Sequence, residues 1–304
     1  MVDSQSNKHK KREIVMRTRR KSRLPVLFAA VLVIAAVALL MSAALRPKIT
    51  DPHEGQVYVY DGFDWIWYTP LEGVEANTMT KDDFDWQGRV PFYVPDDYEV
   101  LRGVDVSEHQ YDIDWQQVKA SGIDFAFVRV GRRGYSAGAL KEDEYFRQNL
   151  EGALNAGLEV GVYFFSQAIN VQEAIEEAEY TLELIKPYSG ITLPVVYDWE
   201  KIYEDSTART AGLDTHILSD CAVAYCETIK RAGYTPCVYF NRHTGYYGLD
   251  LSRMTDYLFW FALPESPFPN FYYKVDIWQY SFDDTVPGIP GETDMNLFFR
   301  PKEA

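Results

Sequence analysis

LPVVYDWEK, Leu193 to Lys201, is an apolar run of strand character that ends in two carboxylic acids, Asp198 and Glu200. Side chains along a strand alternate between faces, so residues two apart emerge together and this strand presents both acids on one side. The C-terminal end of a parallel strand, where it meets its loop, is where open α/β sheets and α/β barrels carry their chemistry. Paired acids at that place point to acid/base or nucleophilic work. The structural alternative is a strand end capped by solvated charge.

The sequence on either side repeats one rhythm. Short β-rich runs, RGVDVS (102–107), DFAFVRVG (124–131), EVGVYFFSQA (159–168), LPVVYDWE (193–200) and TPCVYFN (235–241), alternate with segments whose apolar residues recur at helical spacing. Three of those helical segments close on Gly and one on Pro, both of them stop signals. Such alternation predicts parallel βα units. After Asn241 the runs YLFWFALP, VDIWQYS and DMNLFF follow with little helix between them, so the expected α/β architecture is a barrel closed by plain strands rather than eight even βα units.

Two further acids break apolar runs. Asp105 interrupts the first strand and Asp294 opens the last. If the first and eighth strands are neighbours in a closed barrel, these two meet, with Asp198 and Glu200 facing them across the mouth. Crowded, partly buried carboxylates raise one another's pKa. A Glu kept protonated near neutral pH then donates to a leaving-group oxygen while a neighbour stays charged. Tyr163, Tyr239, Asn241, Trp278 and Gln279 lie along the same strands and suit the apolar faces and hydroxyl edges of sugar rings, although half of such side chains must point outward into helix packing. His109, in the loop after the first strand, is a candidate to orient an acid or a sugar hydroxyl. The spacing of a calcium loop is missing, as are G-x-S-x-G, a P-loop and G-x-G-x-x-G, so no metal or cofactor is expected and esterase, nucleotide-hydrolase and dehydrogenase readings are weak.

Charge divides the chain sharply. Residues 1–24 carry nine Lys/Arg against two Asp/Glu, whereas 46–304 carry 21 against 43, within a formal net charge of −15. An acidic main body argues against nucleic acid as a partner. Between the two lies an uncharged run from Pro25 to Leu45, long enough to cross a bilayer as a helix. A cleaved signal peptide competes with that reading, through the small residues Ser42, Ala43 and Ala44, but the long basic leader and long apolar core favour an uncleaved anchor. The expected order is a basic cytoplasmic leader (1–24), a transmembrane helix (25–45), an extracellular spacer or small β element (46–100) and a barrel domain (101–304), single-pass at the cell membrane. Trp65, Trp67 and Trp86 in the spacer read as packing anchors or as a sugar platform. The odd number of cysteines, Cys221, Cys226 and Cys237, compels no bridge and points to buried thiols.

In their order along the chain, GVDVSEHQ, IDWQQVKASGIDFAFVRVG, GLEVGVYFFSQA, LPVVYDWE, CVYFN, IWQYS and DMNLF resemble the lysozymes of glycoside hydrolase family 25, the Chalaropsis-type N-acetylmuramidases, over about Arg102 to Phe299. The resemblance implies a TIM-like barrel of five βα units completed by three further strands. It also implies cleavage of the β-1,4 bond between N-acetylmuramic acid and N-acetylglucosamine in peptidoglycan, with Glu200 as proton donor. Asp105, Asp198 and Asp294 complete the acidic centre, Asp198 acting as nucleophile or as the group that assists attack by the substrate's acetamido oxygen. Two departures stand out: Phe164 occupies a position that is usually His, and FWFALPES lacks the usual Trp-x-Ala-x-Tyr. A peptidoglycan-binding scaffold without turnover, and a barrel glycosidase acting on another polysaccharide, are the alternatives.

Overall fold

Strand pairing closes a ring of eight strands. The computed structural model describes residues 24–44, 51–203 and 205–302, with side chains in the first helix from 28 to 41. The chain forms two units, residues 1–54 and 55–304. The first contributes helix α1 (Leu24–Ala44). Among the described residues no helix is long and apolar enough to cross a membrane; the side chains described on α1 stop short of the roughly 20 residues that a bilayer needs.

The second unit begins with two antiparallel hairpins, β1 (Val57–Tyr60) with β2 (Trp65–Tyr68), and β3 (Phe84–Gln87) with β4 (Val90–Tyr93). The barrel follows: β5 (Tyr98–Val106), α2 (Trp115–Ala120), β6 (Phe125–Arg133), an antiparallel edge strand β7 (Leu140–Glu142), α3 (Phe146–Asn155), β8 (Glu159–Ser166), α4 (Val171–Ile185), β9 (Ile191–Trp199), α5 (Thr215–Arg231), β10 (Pro236–Asn241), β11 (Leu258–Ala262), β12 (Ile277–Asp284) and β13 (Thr293–Pro301). The ring runs β5-β13-β12-β11-β10-β9-β8-β6 and shuts where β5 pairs with β6. All of its pairings are parallel except the two made by β13, which lies antiparallel to both β12 and β5.

Helix ends follow the local chemistry. Asp114, Asn170 and Asp214 cap α2, α4 and α5, each side chain accepting from a backbone N–H of the first turn. Gly157 and Gly233, with φ of 75° and 90°, carry the chain out of α3 and α5. The fifth unit differs from the expected five βα units: β10 is followed only by a π turn (Thr244–Gly248) and a 3-10 turn (Leu251–Arg253). Four full βα units, one abbreviated unit and three strands therefore make the ring.

Two cores result. Phe125, Phe127, Val196, Trp260, Ile277 and Phe298 fill the barrel, while a larger cluster lies between the strands and their cover. Residues 55–97, expected as a spacer or small β element, belong to that cover. Phe84 is buried against Trp278 and Phe299, Tyr68 meets Tyr273 hydroxyl to hydroxyl at 2.8 Å, and Lys274 N–H donates to the Glu75 carbonyl. The hairpins stand where helices are missing, next to β11–β13. The three cysteines are buried and unpaired, as thiols that pack like small apolar side chains.

Candidate active site

At the C-terminal ends of the parallel strands a cavity of about 550 Å³ opens, and Asp105, Asp198, Glu200 and Asp294 all line it. The topology explains the convergence. Antiparallel pairing of β13 with β5 sets Asp294 directly opposite Asp105, while β9, on the other side of the ring, delivers Asp198 near its end and Glu200 just past it. Tyr163, Tyr239, Gln279 and His109 line the same cavity.

Trp278 and Asn241 do not. Trp278 lies between the inward positions Ile277 and Gln279, so strand alternation turns it outward; it is fully buried against Phe84 and donates from Nε1 to the Leu263 carbonyl at 3.0 Å. The Asn241 side chain instead accepts from the Thr244 N–H at 3.0 Å, holding the turn that follows β10. Phe164 likewise faces the helices, edge-on to Tyr180. Its replacement of the usual His therefore changes the outer layer of the barrel.

A polar network fixes the acids from below. The Tyr239 hydroxyl donates to Gln279 Oε1 at 2.8 Å, and Gln279 Nε2 donates to Asp105 Oδ2 at 2.8 Å and to Asp294 Oδ2 at 3.2 Å. Trp260 Nε1 donates to Asn296 Oδ1, whose amide donates to Asp105 Oδ2, both at 2.8 Å. The Gln279 amide is thus committed to the carboxylates. The loop after β9 is pinned by Gln167, which donates to the Glu200 carbonyl at 2.9 Å and accepts from Thr210 Oγ1 at 2.6 Å.

The four carboxyls share one low-dielectric space and cannot all ionise near neutrality. Burial pushes Asp105 up to about 6, and the donors Asn296 and Gln279 oppose the shift. Asp294 rises to about 9 through burial, the charge of Asp105 and the hydrogen bond it shares with Asp105. Glu200 is exposed at the mouth, yet the surrounding walls desolvate its carboxyl, and together with the Asp105 charge they push it to about 7. Asp198 is raised well above its ordinary range by burial and then by the Glu200 and Asp105 charges, with Arg129 pulling the other way. Its Oδ1 has no hydrogen-bond partner among the described residues. The arrangement can hold a proton at the mouth on Glu200 and keeps a carboxyl, Asp198, ready to meet developing positive charge.

The sequence reading missed one wall. Arg129 and Arg132, both on β6, line the cavity together with Glu108. Glu108 accepts from Arg132 and lies 3.2 Å from Arg129, which is also paired to the fully buried Asp143 at 2.8 Å. Trp260 was missed as well. It lines the cavity with Phe127 stacked on it at 4.6 Å and Tyr239 edge-on at 5.0 Å. The available signal was parity: Arg129 shares the inward phase of Phe125 and Phe127.

Comparison with known proteins agrees with this geometry. The signature of the glycosyl hydrolases of family 25 matches residues 104–289, a stretch that includes Asp105, Asp198 and Glu200 and stops before Asp294. Lysozyme M1 of Streptomyces globisporus is 28% identical over 212 residues, 67% of this chain and 69% of that protein. The autolytic lysozyme of Clostridium acetobutylicum is 27% identical over 199 residues, 65% of this chain and 56% of that protein. The modular autolysin LytC of Streptococcus pneumoniae, solved in complex with a synthetic peptidoglycan ligand, superposes with a TM-score of 0.57 at 28% identity, over 66% of this chain and 47% of that one. A family 25 glycosyl hydrolase from Bacillus anthracis superposes with a TM-score of 0.54 at 24% identity, over 67% and 90%, a likeness of fold. This chain thus spans about half the length of the pneumococcal autolysin. The signature covers more than half of the chain and the barrel is shared: the chain belongs to the glycosyl hydrolases of family 25.

Proposed function

We propose that this protein is a peptidoglycan muramidase of the Chalaropsis type, hydrolysing the β-1,4 bond between N-acetylmuramic acid and N-acetylglucosamine. The observation that carries the reading is the convergence of four carboxyls in one cavity, with Glu200 at its mouth pushed to about 7. Glu200 protonates the glycosidic oxygen as the bond breaks. Asp198, whose charge is disfavoured in the free enzyme by burial first and then by its acidic neighbours, gains as an ionised carboxylate when positive charge develops on the sugar. That gain is an interaction stronger in the transition state than in the ground state. Asp105 and Asp294 share a proton and hold the charge of the floor steady, and Tyr163 and Trp260 form the aromatic wall.

Helix α1 serves as the anchor in this reading. What supports it is the sequence: the run from Pro25 to Leu45 carries no charge, and about 20 apolar residues at about 1.5 Å each are what a helix needs to cross a hydrocarbon core of about 30 Å. The basic leader then stays inside and the acidic barrel faces the wall.

The test is release of reducing ends from purified peptidoglycan, with the products identified by mass spectrometry. Muropeptides ending in reducing N-acetylmuramic acid, produced by the wild type and lost in Glu200→Gln at unchanged melting temperature, are expected. Binding without product release supports a scaffold instead, and cleavage of chitin in preference to peptidoglycan supports a different glycosidase.

A further inference from the structure

A second cavity, of about 590 Å³, lies on the same end of the barrel and is built in part by the β3–β4 hairpin. Trp86 and Arg89 come from the hairpin, Glu265 from the loop after β11, and Tyr280, Ser281 and Asp283 from the end of β12. We propose that this cavity is a saccharide subsite for the same glycan strand, one or more sugar units away from the bond being cleaved. The proposal rests on the muramidase reading and extends it.

Continuity is the first argument. Strand β12 gives Gln279 to the catalytic cavity and Ser281 to this one, and β11 gives Trp260 to the first while Pro264, just beyond its end, lines the second. The ladder to β13 shifts register between Gln279 and Ser281, but two residues of chain span at most about 7 Å, so a polymer leaving the catalytic cavity across the ends of β11 and β12 reaches the second cavity.

Chemistry is the second argument. The Trp86 indole is fixed: Nε1 donates to the Pro267 carbonyl at 3.1 Å, and the ring packs edge-on against Trp278 at 6.2 Å and Tyr280 at 6.3 Å. Even so, 39% of the residue stays exposed. A rigid aromatic ring with free surface, beside hydrogen-bonding groups, is what a sugar ring stacks on and binds at its edge. Those groups are the Arg89 guanidinium, which donates to Ser281 Oγ at 3.2 Å and pairs with Asp283, and the Glu265 carboxylate, held in a left-handed backbone turn (φ 57°). Asp283 and Asp284 neutralise Arg89 and Glu265 adds negative charge, so the cavity offers no counter-charge to the carboxylates of a stem peptide. A neutral saccharide suits it better. The hairpin lies outside residues 104–289, the stretch that the family signature matches.

The experiment uses glycan strands stripped of stem peptides and separated by length, with kcat and KM measured on strands of two and of six disaccharides for the full-length chain. The wild type should favour the longer strand. Trp86→Ala should raise KM for the long strand about tenfold with kcat retained, cutting the long-to-short ratio of kcat/KM by the same factor, and Trp86→Phe should restore most of it. If Trp86→Ala does not fold, Arg89→Ala, whose side chain is more than half exposed, should lower the ratio in the same sense. An unchanged ratio in an active, folded variant overturns the subsite, as does an equal loss on both lengths. A wild type inactive on both overturns the muramidase reading and the subsite with it.

Discussion

Asp198 and Glu200 stand two positions apart on one strand end, yet their surroundings assign them different work. Asp198 is buried and lies within the influence of Arg129, whereas Glu200 meets water at the mouth and has only its carboxyl hemmed in. A general acid must hold its proton, so activity should fall as pH rises through about 7, the value to which Glu200 is shifted. A kcat profile against pH should show this alkaline limb, and Glu200→Gln should lower kcat by about 10² to 10⁴-fold, the usual share of a positioned acid. Asp294 makes a separate, thermodynamic prediction. Its folded-state pKa, about 9, lies above the ordinary 3.8, so the folded chain keeps a proton that the unfolded chain sheds. The associated stability is complete below about pH 4 and is lost as pH rises toward about 9. Asp294→Asn should therefore show a smaller drop in melting temperature between about pH 5 and pH 9 than the wild type, measured by calorimetry. The four acids were legible in the sequence because a carboxyl at an inward position of an apolar strand has few structural excuses. Arg129 obeyed the same rule, but a basic residue beside Arg132 and Arg133 passes easily for a solvated strand end. Trp278 was misplaced for the opposite reason: aromatic character was weighed above parity.

At the scale of elements, strands are held at their spacing by what fills the barrel. Gly161 of β8 leaves room for the Phe127 ring; a Cβ there would lie 2.3 Å from that ring and 2.7 Å from the Pro194 carbonyl oxygen. Phe127 is stacked on Trp260 and has little room to retreat. Gly161→Ala should cost about 1 to 3 kcal/mol, as overpacking does, read as a lower denaturant midpoint. Helix α4 is tied to the barrel through charge. Glu177, fully buried, accepts from Arg133 Nε at 2.7 Å and from Ser166 Oγ at 2.6 Å. Glu177→Ala would leave Arg133 Nε and Ser166 Oγ without their acceptor, while the guanidinium keeps Glu176 and the Gly138 and Glu173 carbonyls, and should lower stability by about 1 to 3 kcal/mol in urea unfolding. The eight barrel strands and four helices could be read in advance because local propensity, caps and periodicity agreed for each. Strands β1 and β2 fall in the small β element expected of residues 46–100, but β3 and β4 could not be read: each is four residues long, and contacts with residues some two hundred positions away stabilise them. No window of local sequence contains that information. The fifth helix that the resemblance implies is replaced by short turns, in keeping with the loss of helical spacing after Asn241: Gly245 and Gly248 interrupt the segment, and Gly245 lies against Phe240 and Phe271.

Across the whole molecule, charge and apolarity are segregated along the chain: a basic leader, an apolar helix and an acidic barrel. The second unit starts at residue 55 and contains every acid of the site. A chain beginning at Gly55 should fold, stay in solution and digest isolated peptidoglycan, whereas the full-length chain should sediment with membranes and require detergent for release. Fractionation followed by a wall-digestion assay checks both halves of that statement, and a full-length chain that stays in the supernatant would remove the anchor.

The pairing of β5 with β13 has a further consequence for when the enzyme becomes dangerous. Asp105 is made well before its partner Asp294, which follows about 190 positions later, and the ring is shut only once β5 and β13 have zipped together. A polypeptide still lacking β13 therefore carries an incomplete acidic floor. Closure through β13 works as a built-in delay, arming the hydrolase only after that strand has been delivered.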